Sequence, residues 1–190
     1  MIRSIPLRHA VLAVRKFACN LAAVTPAEII TRGTIWLALL CYLAATVGSA
    51  RRDSVSMRWP FLLWTLGCLF FFAHVAAAFH FYHHWSHAQA FEDTRRQALE
   101  QTGWDFRGGL WFNYVFAMVW MADCLAWWRG GSEFRTQHRT WHLALQTWFL
   151  FMIFNATVVF GRGLARPAGA VLCLVSVVAL ARMLRSRSTA

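Results

Sequence analysis

Five runs of about twenty mostly apolar residues decide what this chain can become, because a helix of about that length spans the hydrocarbon of a bilayer. They are Thr34 to Ala50, Trp59 to Tyr82, Leu110 to Trp128, His142 to Gly161 and Ala168 to Leu184. In lipid every backbone N–H and C=O has to be satisfied within the chain, so such runs fold as helices. The fold class that follows is all-α, a multi-pass membrane bundle of about five spanning helices. The fifth run carries Arg182 near its end, where a long side chain can snorkel to the interface.

Composition agrees with this reading. The chain is 58% hydrophobic, above the roughly 45–50% of soluble domains. Trp59, Trp111, Trp127, Trp128 and Trp141 stand at the ends of apolar runs, where indole rings favour the membrane–water boundary. The formal charge of +11 would suit a polyanion, but the arginines flank the runs in short groups and make no continuous stripe. Membrane lipids are therefore the expected partners, and nucleic acid is not. Cys19, Cys41, Cys68, Cys124 and Cys173 are scattered singly, with no C-x-x-C pair, so neither a disulfide framework nor a thiolate metal site is expected. Phosphate-binding loops, nucleophile elbows and dinucleotide fingerprints have no match in the chain.

Residues 1–30 read as a basic amphipathic or flexible N-terminal segment ending near Thr25-Pro26. Arg15 and Lys16 interrupt its apolar character, so no cleavable signal peptide is expected. Residues 31–184 form a single transmembrane bundle, and 185–190 an Arg-rich tail. Loops are short, which leaves no room for a separate soluble domain.

Let side A be the face where the second span begins and side B the face where it ends. Arg3, Arg8, Arg15, Lys16, Arg32, Arg95, Arg96, Arg107, Arg162 and Arg166 fall on side B. Arg51, Arg52, Arg58, Arg129, Arg135, Arg139, Arg182, Arg185 and Arg187 fall on side A. Ten against nine sets no orientation by the positive-inside rule. A basic tail without a signal is awkward to translocate, which favours a cytoplasmic N-terminus in a bacterial-type inner membrane.

The second run ends in HFYHHWSH, with four imidazoles in eight positions. No Gly or Pro lies between Gly67 and Gly103, so the second helix is expected to extend past the membrane without a break. On such a helix, at about 100° per residue, His80, His83, His84 and His87 share an arc of about 100°. Four imidazoles on one face need water, an acid or a metal opposite them. Neutral imidazole ligates iron, copper and zinc, and i, i+3 or i, i+4 spacing brings two rings to one ion. These four histidines are therefore the candidate metal ligands. Helix rise places Asn113 and Tyr114 beside His80, and Asn155 level with His74, on side B. His74, Asn113 and Asn155 are candidate supporting residues.

His80-x-x-His83-His84 also resembles one histidine box of the membrane fatty-acid desaturases and hydroxylases, and His138-x-x-x-His142 resembles another. The resemblance implies ligands to a di-iron centre that activates oxygen. This chain lacks a third box and carries its two boxes in reversed order. Topology also sets them at opposite faces, with a hydrocarbon core of about 30 Å between them. The same separation keeps His142 from pairing with His74 or His80 about a b-type haem, which ranks haem below a mononuclear or dinuclear ion.

Asp123, within MVWMADCLAWW, is the one carboxylate inside a run, in the side-A half near His142 and Gln146. Ionisable groups at such depth mark functional sites by default. Three functions stay open at this point. The first is a small His-ligated membrane metalloprotein, an oxidoreductase for a lipid-soluble substrate. The second is a proton- or ion-transport subunit using Asp123 and the histidines. The third is a non-catalytic accessory subunit, in a homo-oligomer or a larger membrane complex.

Overall fold

The computed structural model describes residues 25–50 and 58–185, and the side chains of all of these except 132–137 and 139. The expected N-terminal segment lies outside the described residues up to residue 24, as does the tail beyond Arg185. Among the described residues six α-helices follow one another: α1 (Pro26–Ser49), α2 (Arg58–Phe81), α3 (His87–Thr102), α4 (Gly109–Gln137, kinked at Gly131), α5 (Arg139–Phe154) and α6 (Ala165–Arg185). A π-helical turn, Asn155–Val159, prolongs α5. No strand occurs among the described residues. Five helices are long and apolar enough to cross a membrane: Pro26–Ser49, Arg58–Phe81, Gly109–Gly131, Thr140–Val159 and Ala165–Arg185. The protein is an all-α, multi-pass membrane bundle.

The first span begins earlier than its hydropathy predicts, because local capping starts it at Pro26. Thr25 Oγ1 accepts the backbone N–H of Glu28 at 3.3 Å, and proline fits the first helical position, whose N–H is unpaired anyway. Glu28 then pairs with Arg32 at 2.9 Å, one turn on. This stretch, assigned from sequence in part to the N-terminal segment, belongs to the spanning helix.

α1 and α2 form an antiparallel hairpin whose closeness depends on glycine. A Cβ on Gly67 would stand 3.3 Å from the carbonyl oxygen of Ala38, 3.2 Å from Cys41 Cβ and 3.0 Å from the Trp120 ring. Ala73 and Ala76, further along α2, are exposed, and Gly67 is the small residue that lets the helices approach. At the other end of the bundle Thr157, in the π turn, fills the space beside Gly161 and Gly169, and seats α6 against α5.

The core is aromatic. Phe149 is fully buried, with its ring centroid 4.6 Å from Phe116, 4.9 Å from Trp120, 5.0 Å from Trp64 and 5.4 Å from Tyr42. It joins α1, α2, α4 and α5 in one cluster. Trp59, Trp111, Trp128 and Trp141 are exposed at the rims as expected. Trp127 is not, since its indole packs on Phe61 at 4.9 Å and is 3% exposed.

The extended second helix does not form. α2 stops at Phe81, and the chain turns over five residues before α3 begins at His87. His84 and Trp85 take left-handed conformations, φ 46° and 59°, which break the helix although neither is glycine. The N–H of Trp85 reaches back to the carbonyl of Phe79 at 3.0 Å, closing the end of α2. Ser86 caps α3 by accepting from the N–H of Gln89 at 3.3 Å. The turn lets α3 fold onto the start of α4, with Ala90 fully buried and Ala98 nearly so. A continuous helix would have left that face exposed.

Candidate functional site

Polar side chains concentrate in two regions, a corner between helix ends at side B and a set of buried residues within the spans of the side-A half. At side B the corner between α2 and α3 holds the histidines. His83 Nδ1 lies 3.2 Å from Asp93 Oδ2, and Arg96 donates to the other oxygen of that carboxylate at 2.8 Å. His87 Nδ1 lies 2.9 Å from the Tyr114 hydroxyl, with the two rings stacked at 5.7 Å. Helix arithmetic had brought the start of α4 to this level, and its contact is Tyr114 with His87.

The four candidate ligands do not share a face, because that expectation needed an unbroken helix. His80 is exposed and packs edge-on against Phe81 at 4.8 Å, while His84 is exposed at the left-handed turn. Among the described residues no three His, Cys, Asp or Glu side chains stand where they could hold one metal ion. The supporting residues also separate. His74 Nδ1 donates to the carbonyl of Thr31 at 2.9 Å, which ties α2 to α1. The Asn155 amide donates to the carbonyl of Phe151 at 2.7 Å, and Asn113 faces outward.

Past the corner the charges of α3 are matched locally. Arg95 donates through Nε and Nη2 to both oxygens of Asp105, the latter bond being 2.7 Å, and through Nη1 to Glu92 at 2.9 Å. These bonds hold the Asp105 carboxyl below its ordinary range. Arg96 pairs with Asp93, three residues back, at 2.8 Å.

The second gathering is inside the side-A half and is buried. Tyr42 of α1 donates to Gln146 Oε1 of α5 at 2.9 Å, and neither residue is more than 1% exposed. Asp123 of α4 is 2% exposed and His142 of α5 is 9% exposed. Counted by a rise of about 1.5 Å per residue from side B, Asp123 and Gln146 both lie roughly 20 Å deep, and His142 about one turn nearer side A. Thr46 and Ser176 add two buried hydroxyls, which donate to the carbonyls of Tyr42 and Leu172 at 2.9 Å each. Sequence reasoning placed Asp123, His142 and Gln146 in one half of the membrane, and the structure buries all three there.

His138, His142 and Gln146 recur every four residues along α5, so they follow one face of the helix. His138 is exposed at its N-terminus, His142 is nearly buried, and Gln146 meets Tyr42. A polar stripe thus leads from the side-A surface to the buried cluster. Toward side B it ends at the rings of Phe149, Phe116, Phe71 and Trp120. Sequence reasoning missed Tyr42, Thr46 and Ser176, which are dispersed singly through apolar runs. The fourfold spacing of His138, His142 and Gln146 was the signal that could have shown the stripe.

Comparison with protein-family models, with curated proteins and with solved structures gives no match to this chain.

Proposed function

We propose that this protein handles protons within the membrane, with Asp123 as the proton-binding group and His138, His142 and Gln146 as the route to it from side A. One observation carries the reading: a carboxylate on α4 is buried at the depth of Gln146, the inner end of a polar stripe on α5 that starts at the surface and includes the nearly buried imidazole of His142. Ionisable groups are costly at such depth and are found where they do chemistry. Imidazole near the surface can take a proton at ordinary pH and pass it inward, since its two nitrogens can receive and release at different atoms. The aromatic layer next to Phe149 blocks a direct path to side B. The site is therefore an access path from one side, and release to the other side requires that layer to move.

The test is proton flux into liposomes that hold the purified protein and a pH-sensitive dye. Wild-type protein is expected to accelerate acidification, and Asp123→Asn to lower the rate at least tenfold with the fold intact. Equal rates for Asp123→Asn and wild type would refute the reading.

A second reading keeps the histidine corner as a metal site for iron, copper or zinc. What favours it is that His83 and His87 each have Nδ1 engaged, by Asp93 and Tyr114. Ligating histidines are commonly held in this way, with the other nitrogen left for the ion. An ion there would have to draw His80, His83, His84 and His87 together, since no three of them stand where they could hold it, and its activity would be that of an oxidoreductase acting on a lipid-soluble substrate. Stoichiometric metal in purified protein, lost when all four are changed to Ala, would favour it over the proton reading. If neither flux nor metal is found, the accessory-subunit reading stands.

A further inference from the structure

The aromatic layer that closes the stripe has a polar group on its other side. Phe71 belongs to that layer, and His74, one turn nearer side B on α2, has its ring centroid 6.4 Å from that of Phe71. His74 is half-buried, and its Nδ1 donates to the carbonyl of Thr31 on α1 at 2.9 Å. A carbonyl only accepts, so the proton of the neutral ring sits on Nδ1 and the lone pair on Nε2. Nε2 has no partner among the described residues. The Thr31 hydroxyl is also without a hydrogen bond, in a residue 8% exposed. The hydroxyls of Thr34, Thr46, Thr65 and Ser176 each bond to a carbonyl one turn back. An unpaired buried hydroxyl is therefore the exception here, and it marks a place for water. Helix rise sets both His74 and Thr31 about 10 Å inside side B. Glu28, one turn before Thr31 on α1, is half-buried and pairs with Arg32 at 2.9 Å.

We propose that His74 is the proton acceptor on the side-B side of the aromatic layer, loading at Nε2 and unloading to water beside Thr31 and Glu28. The inference rests on the reading of Asp123 as the proton-binding group. In the transfer the Asp123 carboxyl loses its proton and Nε2 gains it, leaving a carboxylate and an imidazolium. The imidazolium then gives that proton to water at side B, with no electron moved. Nδ1 keeps its bond to Thr31 throughout, so the ring stays in place while its charge changes. About 10 Å of depth separates Asp123 from His74, with Phe71 and Trp120 in the layer between, so transfer waits on movement of those rings. Neighbouring titratable groups leave Nε2 free. Glu28 and Arg32 of α1 hold each other, and Tyr114 of α4 is engaged by His87 at 2.9 Å. His80 lies six residues on along α2, about 120° around the helix from His74.

The experiment measures proton flux in liposomes and the infrared carboxyl band of Asp123 in the same preparations of full-length protein. Wild type and Asp123→Asn are compared first. Flux that is absent, or equal in the two, overturns the Asp123 reading and this inference with it. Where Asp123 carries flux, His74→Asn is the deciding variant, since its amide can still donate to the Thr31 carbonyl but cannot take a proton. It is expected to lower flux at least tenfold while the Asp123 band still changes with pH. Flux equal to wild type would overturn the role of His74 and leave the Asp123 reading standing. Loss of the Asp123 band together with the flux would also overturn it, because His74 would then act through the fold. Nitrogen NMR of the wild type in lipid needs no variant. It should show the His74 ring protonated on Nδ1 alone at high pH and on both nitrogens at low pH. A ring that stays neutral at every pH that preserves the fold would overturn the proposal.

Discussion

Imidazoles stand at both ends of this bundle, in opposite surroundings. At side B, His80, His84 and His87 are exposed around the turn between α2 and α3, where His83 pairs with Asp93 of α3 and His87 with Tyr114 of α4. In the side-A half, His142 is nearly buried, a carboxylate (Asp123) is buried on α4, and an amide and a phenol (Gln146 and Tyr42) are paired on α5 and α1. The cluster dense in sequence is loose in space, and the groups dispersed in sequence converge. Clustering along the chain measures local spacing, whereas a membrane site is made by residues of equal depth on different helices. The core half should therefore govern stability and proton handling, and the corner only the docking of α3.

The strongest way to break this comparison is Phe149→Ala. It removes the ring shared by Tyr42, Trp64, Phe116 and Trp120, and is expected to cost about 3–5 kcal/mol. His80→Ala should stay within about 0.5 kcal/mol, as for other exposed sites. Denaturant titration in mixed micelles reads both, and equal losses would erase the difference between the two ends.

Gln146→Leu sharpens it further. The Tyr42 hydroxyl then loses its acceptor in a dry interior, at about 1–3 kcal/mol, whereas adding Tyr42→Phe removes the stranded group and should recover part of that loss. A double-mutant cycle that shows no coupling would contradict a working hydrogen bond here.

At the corner the expected effects are smaller and partly of opposite sign. Ser86→Ala should loosen the start of α3 by about 1 kcal/mol through loss of its cap. His84→Gly should stabilise the turn by about 1 kcal/mol, since glycine takes a positive φ without strain. Hydrogen exchange across residues 82–106 separates these outcomes. A destabilising His84→Gly would mean that the imidazole is needed there.

The smallest effect concerns pH. The Arg95 bonds hold the Asp105 carboxyl below its ordinary range, so it binds protons less readily folded than unfolded. Its contribution is present above the unfolded pKa and fades as pH falls through the folded one. Amide exchange near residues 103–106 should therefore rise only in acid below the usual carboxylate range. Asp105→Asn should raise it at neutral pH and remove that acid dependence.

The spans were legible because hydropathy over about twenty residues is a strong local signal, and the depth of each polar residue followed from helix rise. Depth was enough to bring Tyr114 to the histidine corner, where its hydroxyl meets His87. What failed was the continuity of α2. Nothing in Tyr82–Ser86 forbids a helix, and the break comes from Ser86 capping and from the burial of Ala90 and Ala98 against α4. The Tyr42–Gln146 pair was illegible for a related reason. Helical period tells which face a residue occupies, while the neighbour of that face is set by how whole helices pack.

The most direct measurement is an infrared titration of the protein in lipid, comparing wild type with Asp123→Asn. Proton handling at Asp123 predicts a protonated-carboxyl band that changes with pH in the wild type, is missing in Asp123→Asn, and is weakened or shifted by His142→Phe. A wild-type spectrum with no such band at any pH that preserves the fold would contradict the account. Asp123 would then be a fixed structural charge.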